Sequence, residues 1–169
     1  MDREINRSLF NDFQRHQKVT KCWRKIDDQW VIKDVPFIDK WSEEEYKELI
    51  SFLKNTLRTG GIVYGAFKRD KLKGFASVES SLFGMNSQYL DLSNIHVSED
   101  MRGQSIGKKL FQLSAAWARA QGAQKLYISG HSAVESQGFY KTVGCVEALE
   151  YNKELTEKEP YDCQLEYLL

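Results

Sequence analysis

The stretch VSEDMRGQSIGKKLF, residues 97–111, decides the fold because its periodicity changes partway through. The run that leads into it, QYLDLSNIHV (residues 88–97), is β-rich. From Ser105 onward Ile106, Leu110, Leu113 and Trp117 recur at helical spacing, with Phe111, Ser114 and Ala118 beside them. A strand that feeds a glycine turn opening a helix suits an anion, because first-turn N–H groups lack partners and carry partial positive charge. Gly103 and Gly107 keep Cβ atoms out of the way of a ligand, and Arg102, Lys108 and Lys109 add charge. The chemistry that fits is a phosphate or pyrophosphate.

Working outward, Ser42 and Glu45 form a capping box, and Tyr46, Leu49, Ile50 and Leu53 follow at helical spacing, which predicts a helix over 42–57. Gly60-Gly61 ends it. Two β-rich runs joined by a polar turn at 68–71 then predict a hairpin, with 88–97 as its antiparallel neighbour. After the central helix, Gly122 and KLYISG predict a strand reached by a parallel crossover, and 134–143 is a short helix closed by Gly144. CVEALEY and CQLEYLL read as a closing antiparallel pair around a charged loop that holds Pro160. The first 30 or so residues are ambiguous: 10–17 fits a helix face, 19–26 fits a strand, and Trp23 and Trp30 suit either. The sum is an α+β chain, expected to form one domain over 1–169.

Composition narrows the function. The 24 basic and 24 acidic residues cancel, which argues against wholesale nucleic-acid binding. The three cysteines, Cys22, Cys145 and Cys163, lack Cys-x-x-Cys or zinc-finger spacing and read as reduced thiols, and no His/Cys/Asp/Glu constellation predicts a metal. With neither a signal-like amino terminus nor a membrane-length apolar run, a cytoplasmic location is expected.

Two phosphate classes fail on spacing. A triphosphate loop needs four residues before Gly-Lys-Ser/Thr, whereas three separate Gly103 from Gly107, and Lys109 stands where the hydroxyl should be. The dinucleotide fingerprint Gly-x-Gly-x-x-Gly is absent, and the preceding strand sits mid-chain. Arg102-Gly103-Gln104-Ser105-Ile106-Gly107 instead resembles motif A of the GNAT superfamily of N-acetyltransferases, Gln/Arg-x-x-Gly-x-Gly/Ala. Ser105 stands where that family most often has glycine, and it is expected to cap the helix. GFYKTVGC, residues 138–145, looks like the family's Phe-Tyr-x-x-x-Gly-Phe segment, with Cys145 replacing the last Phe. The likeness runs from about Ser42 to the end of the chain and matches the first 40 residues poorly.

This resemblance implies a three-layer fold whose mixed, mostly antiparallel sheet is splayed between two central parallel strands and flanked by helices. It implies acetyl coenzyme A as co-substrate, with no metal. The diphosphate would lie on the amides of Arg102, Gly103, Gln104, Ser105, Ile106 and Gly107, with Lys108 nearby, and the pantetheine arm would pair with Ile95, His96 and Val97. The Ile95 amide would face the developing oxyanion. Tyr140 matches the family's tyrosine near the coenzyme sulfur, where a phenol can protonate the leaving thiolate. Asp91 falls where the histone-modifying branch carries its carboxylate base, with Glu79 as a rival and a water chain as a third route. His96 is expected to serve through its backbone, and His131 and Ser132 lie within reach of the coenzyme. The acceptor would be a small-molecule or peptide primary amine, with no nucleic-acid or membrane partner and a homodimer left open. A non-catalytic acyl-coenzyme A sensor or partner-binding module is the alternative.

Overall fold

The computed structural model describes residues 4–169. A 3-10 turn, Arg7–Phe10, precedes a hairpin of β1 (His16–Ile26) and β2 (Gln29–Lys40). There follow α1 (Glu43–Arg58), β3 (Ile62–Lys68), β4 (Lys71–Val78), β5 (Tyr89–Val97), α2 (Ile106–Ala120) and β6 (Lys125–Gly130). The chain ends with α3 (Val134–Val143), β7 (Val146–Glu147), α4 (Lys153–Lys158) and β8 (Cys163–Leu168). β3 to β8 form one six-stranded sheet in the order β3-β4-β5-β6-β8-β7, antiparallel except for the β5–β6 pair. The expected α+β architecture is therefore present.

Local chemistry explains the element boundaries. Both legs of the Ser42/Glu45 capping box are made, which satisfies donors that open the helix and is worth about 1 kcal/mol. β3 and β4 turn through Arg69 and Asp70, both at positive φ (47° and 63°), the twist a two-residue hairpin prefers. β1 and β2 turn in the same way through Asp27 and Asp28.

α2 and α3 cover one face of the sheet and α1 covers part of the other. Leu90, Leu92, Leu126 and Ile128 pack against Leu110, Phe111 and Ala118 on the first face. Phe10, Phe13, Tyr46, Leu53 and Phe75 fill the second, and Leu155 of α4 seats on Tyr89 and Tyr127. The buried stripe of α2 runs through Leu110, Phe111, Ser114 and Ala118, whereas Leu113 is 36% exposed; the stripe is rotated from the expected one because Phe111 packs edge-on to Tyr167 of β8. Three further features depart from expectation. Residues 29–40 form a strand, the charged loop holds α4, and β7 is only two residues long.

Candidate active site

β5 and β6 pair only at Tyr89–Lys125, Leu90–Leu126 and Asp91–Tyr127. Against β4 the register jumps from Val78–Leu92 to Ser77–Asn94, leaving Ser93 as an extra residue. Such a bulge bends a strand and re-aims its side chains. Beyond it β5 stays with β4 and leaves β6. Ile95 then packs toward the α2 face and His96 toward Phe75 on the α1 face.

A cavity of about 650 Å³ opens at this gap. It takes in Ile95, His96 and Val97 of β5, then Arg102, Gly103, Ser105, Ile106, Gly107 and Lys108 of the loop, and Tyr140 of α3. The structure thus brings together all but two of the expected site residues. Gln104 turns its side chain back to the Met101 sulfur at 3.7 Å, and Asp91 lies deeper along β5, outside the cavity lining.

The loop presents backbone donors. Met101 and Arg102 close a 3-10 turn onto Ser98 and Glu99, and the next N–H with an acceptor is that of Lys109, to Ser105. The N–H groups of residues 103–108 have no partner among the described residues. Gly103 holds φ 75° with nothing within 4 Å of where a Cβ would stand. Gly107 has a different reason to be glycine: a Cβ would meet the Phe139 ring at 3.2 Å, so its smallness lets α2 close on α3. Ser105 makes no side-chain cap. It sits in the left-handed region (φ 60°, ψ 10°), where a side chain costs about 1 kcal/mol, which accounts for glycine being the more usual residue there.

Tyr140 is held by contacts on two sides. Its ring meets Phe139 edge-on at 5.4 Å and covers Gly130, where a Cβ would come within 2.8 Å of Cε2. No hydrogen bond to its hydroxyl is found among the described residues. Burial, then the nearby Cys145, Asp162 and Asp91, raises its pKa, so the phenol keeps its proton.

Asp91 is pushed up to about 7, first by burial and then by the charge of Glu79. Its carboxyl has no hydrogen-bond partner among the described residues. Glu79 is engaged instead, accepting from Thr56 Oγ1 at 2.7 Å and Ser93 Oγ at 2.8 Å, which ties it to the bulge. His96 sits edge-on to Trp41 at 4.8 Å. Burial, reinforced by Arg15, Arg102 and His131, drives it down to about 3, so it is neutral at ordinary pH. His131 lines the cavity and accepts the Ala133 N–H at 3.1 Å; Ser132 is buried and accepts from Arg24 Nη1. Among the described residues no cluster of three or more His, Cys, Asp or Glu could hold a metal ion, and no helix is long and apolar enough to cross a membrane.

Sequence reasoning missed the contribution of β1 and the segment before it. Arg15, Gln17 and Lys18 all line the cavity. Gln14 fixes them there, its N–H donating to Ser98 Oγ at 2.9 Å and its C=O accepting from Glu99 N–H at 3.0 Å. No local pattern announces this, because the partners are some 84 residues apart.

A strand, a loop of open amides, a helix and a splayed parallel pair define an acyltransferase-type scaffold. The model of the acetyltransferase (GNAT) family matches residues 22–145, and the chain belongs to that family. Comparison with curated proteins gives no match. Among solved structures the chain is similar to nourseothricin acetyltransferase, with a TM-score of 0.65, 16% identity and coverage of 94% of this chain and 89% of that one. It is also similar to a Bacillus anthracis protein assigned as a streptothricin acetyltransferase, in complex with acetyl coenzyme A (0.67, 16% identity, 93% and 89% covered). A third is the PaiA N-acetyltransferase from Thermoplasma acidophilum with coenzyme A (0.56, 16% identity, 76% and 80% covered). At this identity the likeness establishes the fold.

Proposed function

We propose that the protein transfers an acetyl group from acetyl coenzyme A to a primary amine by direct attack in a ternary complex. One observation carries this reading: the N–H groups of residues 103–108 lack partners among the described residues, and all of these residues but Gln104 line the cavity that runs beside β5, where it has left β6, to Tyr140. The donor set suits the ligand, since backbone amides at a helix start, with Arg102 and Lys108 beside them, hold a diphosphate without any metal. The main chain of Ile95, His96 and Val97 would hold the pantetheine arm, and the Ile95 amide would face developing negative charge. When bound, the coenzyme supplies an activated thioester.

The remaining roles follow from the side chains. Tyr140, kept protonated by burial, would donate its phenolic proton to the departing sulfur. Asp91, ionising near neutrality, would take the proton of the amine through water, since it lies back from the cavity. Neutral His96 would add no charge to that exchange. Two of the similar structures hold acetyl coenzyme A or coenzyme A, and two act in name on nourseothricin or streptothricin, which favours a small-molecule amine as acceptor.

A thiol-release assay with a panel of primary amines tests the reading. Acceptor-dependent release from one amine class is the expected result. Coenzyme binding with no release from any of them would make the protein an acyl-coenzyme A sensor instead.

A further inference from the structure

The cavity contains a cation that the scheme above leaves without a task. Arg15 lines it, its side chain is only 10% exposed, and its Nε–H is buried without a partner among the described residues. Native structures rarely leave a buried charged donor unpaired unless water or a ligand completes it. The rest of the guanidinium is fixed: Nη2 pairs with Asp39 of β2, and the group lies over the Trp41 ring at 5.0 Å from its centroid. Gln14, the residue before it, is pinned to Ser98 and Glu99, so Arg15 is braced from two sides.

Arg15 is near enough to Arg102 for their charges to repel, yet it stands on the other face of the sheet from the amides around Gly107. Gly107 approaches Phe139 and Val97 on the α2 face of the sheet. Arg15 stands over Trp41, whose ring touches His96 and Phe75 on the α1 face. A coenzyme laid along the loop reaches the gap from the α2 face, so an amine attacking its thioester has the α1 face left to it. Of the groups beside it, His96 is neutral and packed between rings and Asp39 is already paired, while Lys18, also in the lining, lacks the planar fork of a guanidinium. A planar guanidinium that lines the cavity with its Nε–H unsatisfied suits an oxyanion, above all a carboxylate.

We propose that Arg15 is a specificity-determining residue that binds an anionic group, a carboxylate, on the acceptor amine. The acceptor is then an amino acid or a similar amino-carboxylate. This rests on the acetyl-transfer reading of the same cavity. The coenzyme diphosphate offers the same oxyanion chemistry, and the experiment separates the two sources.

Thiol release is measured with acceptors matched except for the carboxylate, L-phenylalanine against phenethylamine and L-lysine against cadaverine. Coenzyme A affinity is measured in parallel by calorimetry. The wild type is expected to favour the carboxylate member of a pair by about tenfold or more in kcat/KM, the value of one hydrogen bond to a charged group. Arg15→Gln should erase that preference through KM, leave activity on the plain amine, and shift coenzyme affinity by less than about twofold, while Arg15→Lys should restore part of the preference. Should Arg15→Gln fail to fold, the wild-type preference and its change in Arg15→Lys decide the matter. Release from plain amines with no carboxylate preference in the wild type overturns the assignment and leaves acetyl transfer standing. Weakened coenzyme binding with the preference intact gives the oxyanion to the coenzyme and likewise overturns it. Equal losses on both members of a pair make Arg15 a structural brace. No release from any amine removes the acetyl-transfer reading, and the Arg15 role falls with it.

Discussion

The six-stranded sheet and the β1–β2 hairpin are built on opposite principles. In β4 every residue after the first is buried, and Leu90, Leu126 and Ile128 of the central strands are at most 1% exposed. In β2 no residue is fully buried, and the hairpin rests on a small cluster of Val19, Cys22 and Ala133 plus one backbone bond, from Trp23 N–H to Ser132 C=O at 2.8 Å. The sheet is therefore fixed by extensive apolar burial, and the hairpin by that small cluster, by Trp23 and Trp30 resting on the main core and by polar contacts from Lys25 and Trp30 to Glu147. Division of labour follows from this. The sheet and its helices hold the anion loop and Tyr140, and Arg15, just ahead of the lightly held hairpin, reaches the same cavity with Gln17 and Lys18 of β1.

The largest effect that tests the contrast is a cavity in the sheet. Leu126→Ala should destabilise the whole protein by about 2–5 kcal/mol and lower its melting temperature by several degrees; a smaller loss than in a hairpin variant would break the contrast. Gly103→Glu puts a carboxylate on the anion loop where space for it exists, so calorimetry should show coenzyme affinity falling about a hundredfold, while a side chain at φ 75° costs about 1 kcal/mol and lowers melting by a few degrees. Tyr140→Phe should lower kcat by about a hundredfold and leave coenzyme affinity within twofold, whereas parallel losses would make the residue structural.

Asp91→Asn should reduce kcat/KM by about tenfold at pH 8 and flatten a pH profile that otherwise rises through about 7, because only the ionised carboxyl accepts a proton. The same raised pKa acts on stability in the opposite direction. Between about pH 4 and 7 the folded carboxyl holds a proton that the unfolded one has lost, so Asp91 lowers stability as pH rises, and the Asn variant should lose less stability over that window. The smallest global effect is expected for Val19→Ala. It removes about 1–2 kcal/mol of local packing, and hydrogen exchange should quicken in residues 16–40 while the sheet amides keep their protection.

What was legible in the sequence tracks the same division. The capping box at Ser42, the period switch at Ser105 and the glycine at 144 are local signals, and each marks an element the structure has. β2 escaped because its turn uses Asp27-Asp28 without a glycine, it contains Pro36, and its exposed face removes the apolar alternation that betrays a strand. α4 escaped for being short and polar, held by the Asn152 cap rather than by a buried stripe. The rotated stripe of α2 reflects tertiary packing of Phe111 on Tyr167. At the site, the loop and Tyr140 could be read from short motifs, but the bulge at Ser93, which decides where Asp91 and His96 point, depends on pairing with β4. Arg15 depends on bonds between Gln14 and a loop far along the chain.

The brevity of the β5–β6 ladder has a mechanical consequence. Among the described residues the β5–β6 ladder that joins the β3-β4-β5 half of the sheet to the β6-β8-β7 half has three residue pairs, with α2 bridging above and Tyr89 reaching Glu166 across it. The molecule therefore has a seam, and strain applied across it concentrates on those few rungs. A small molecule lodged in the seam acts as a rivet whose grip grows with the logarithm of its concentration, by about 2.7 kcal/mol at a hundred times its dissociation constant.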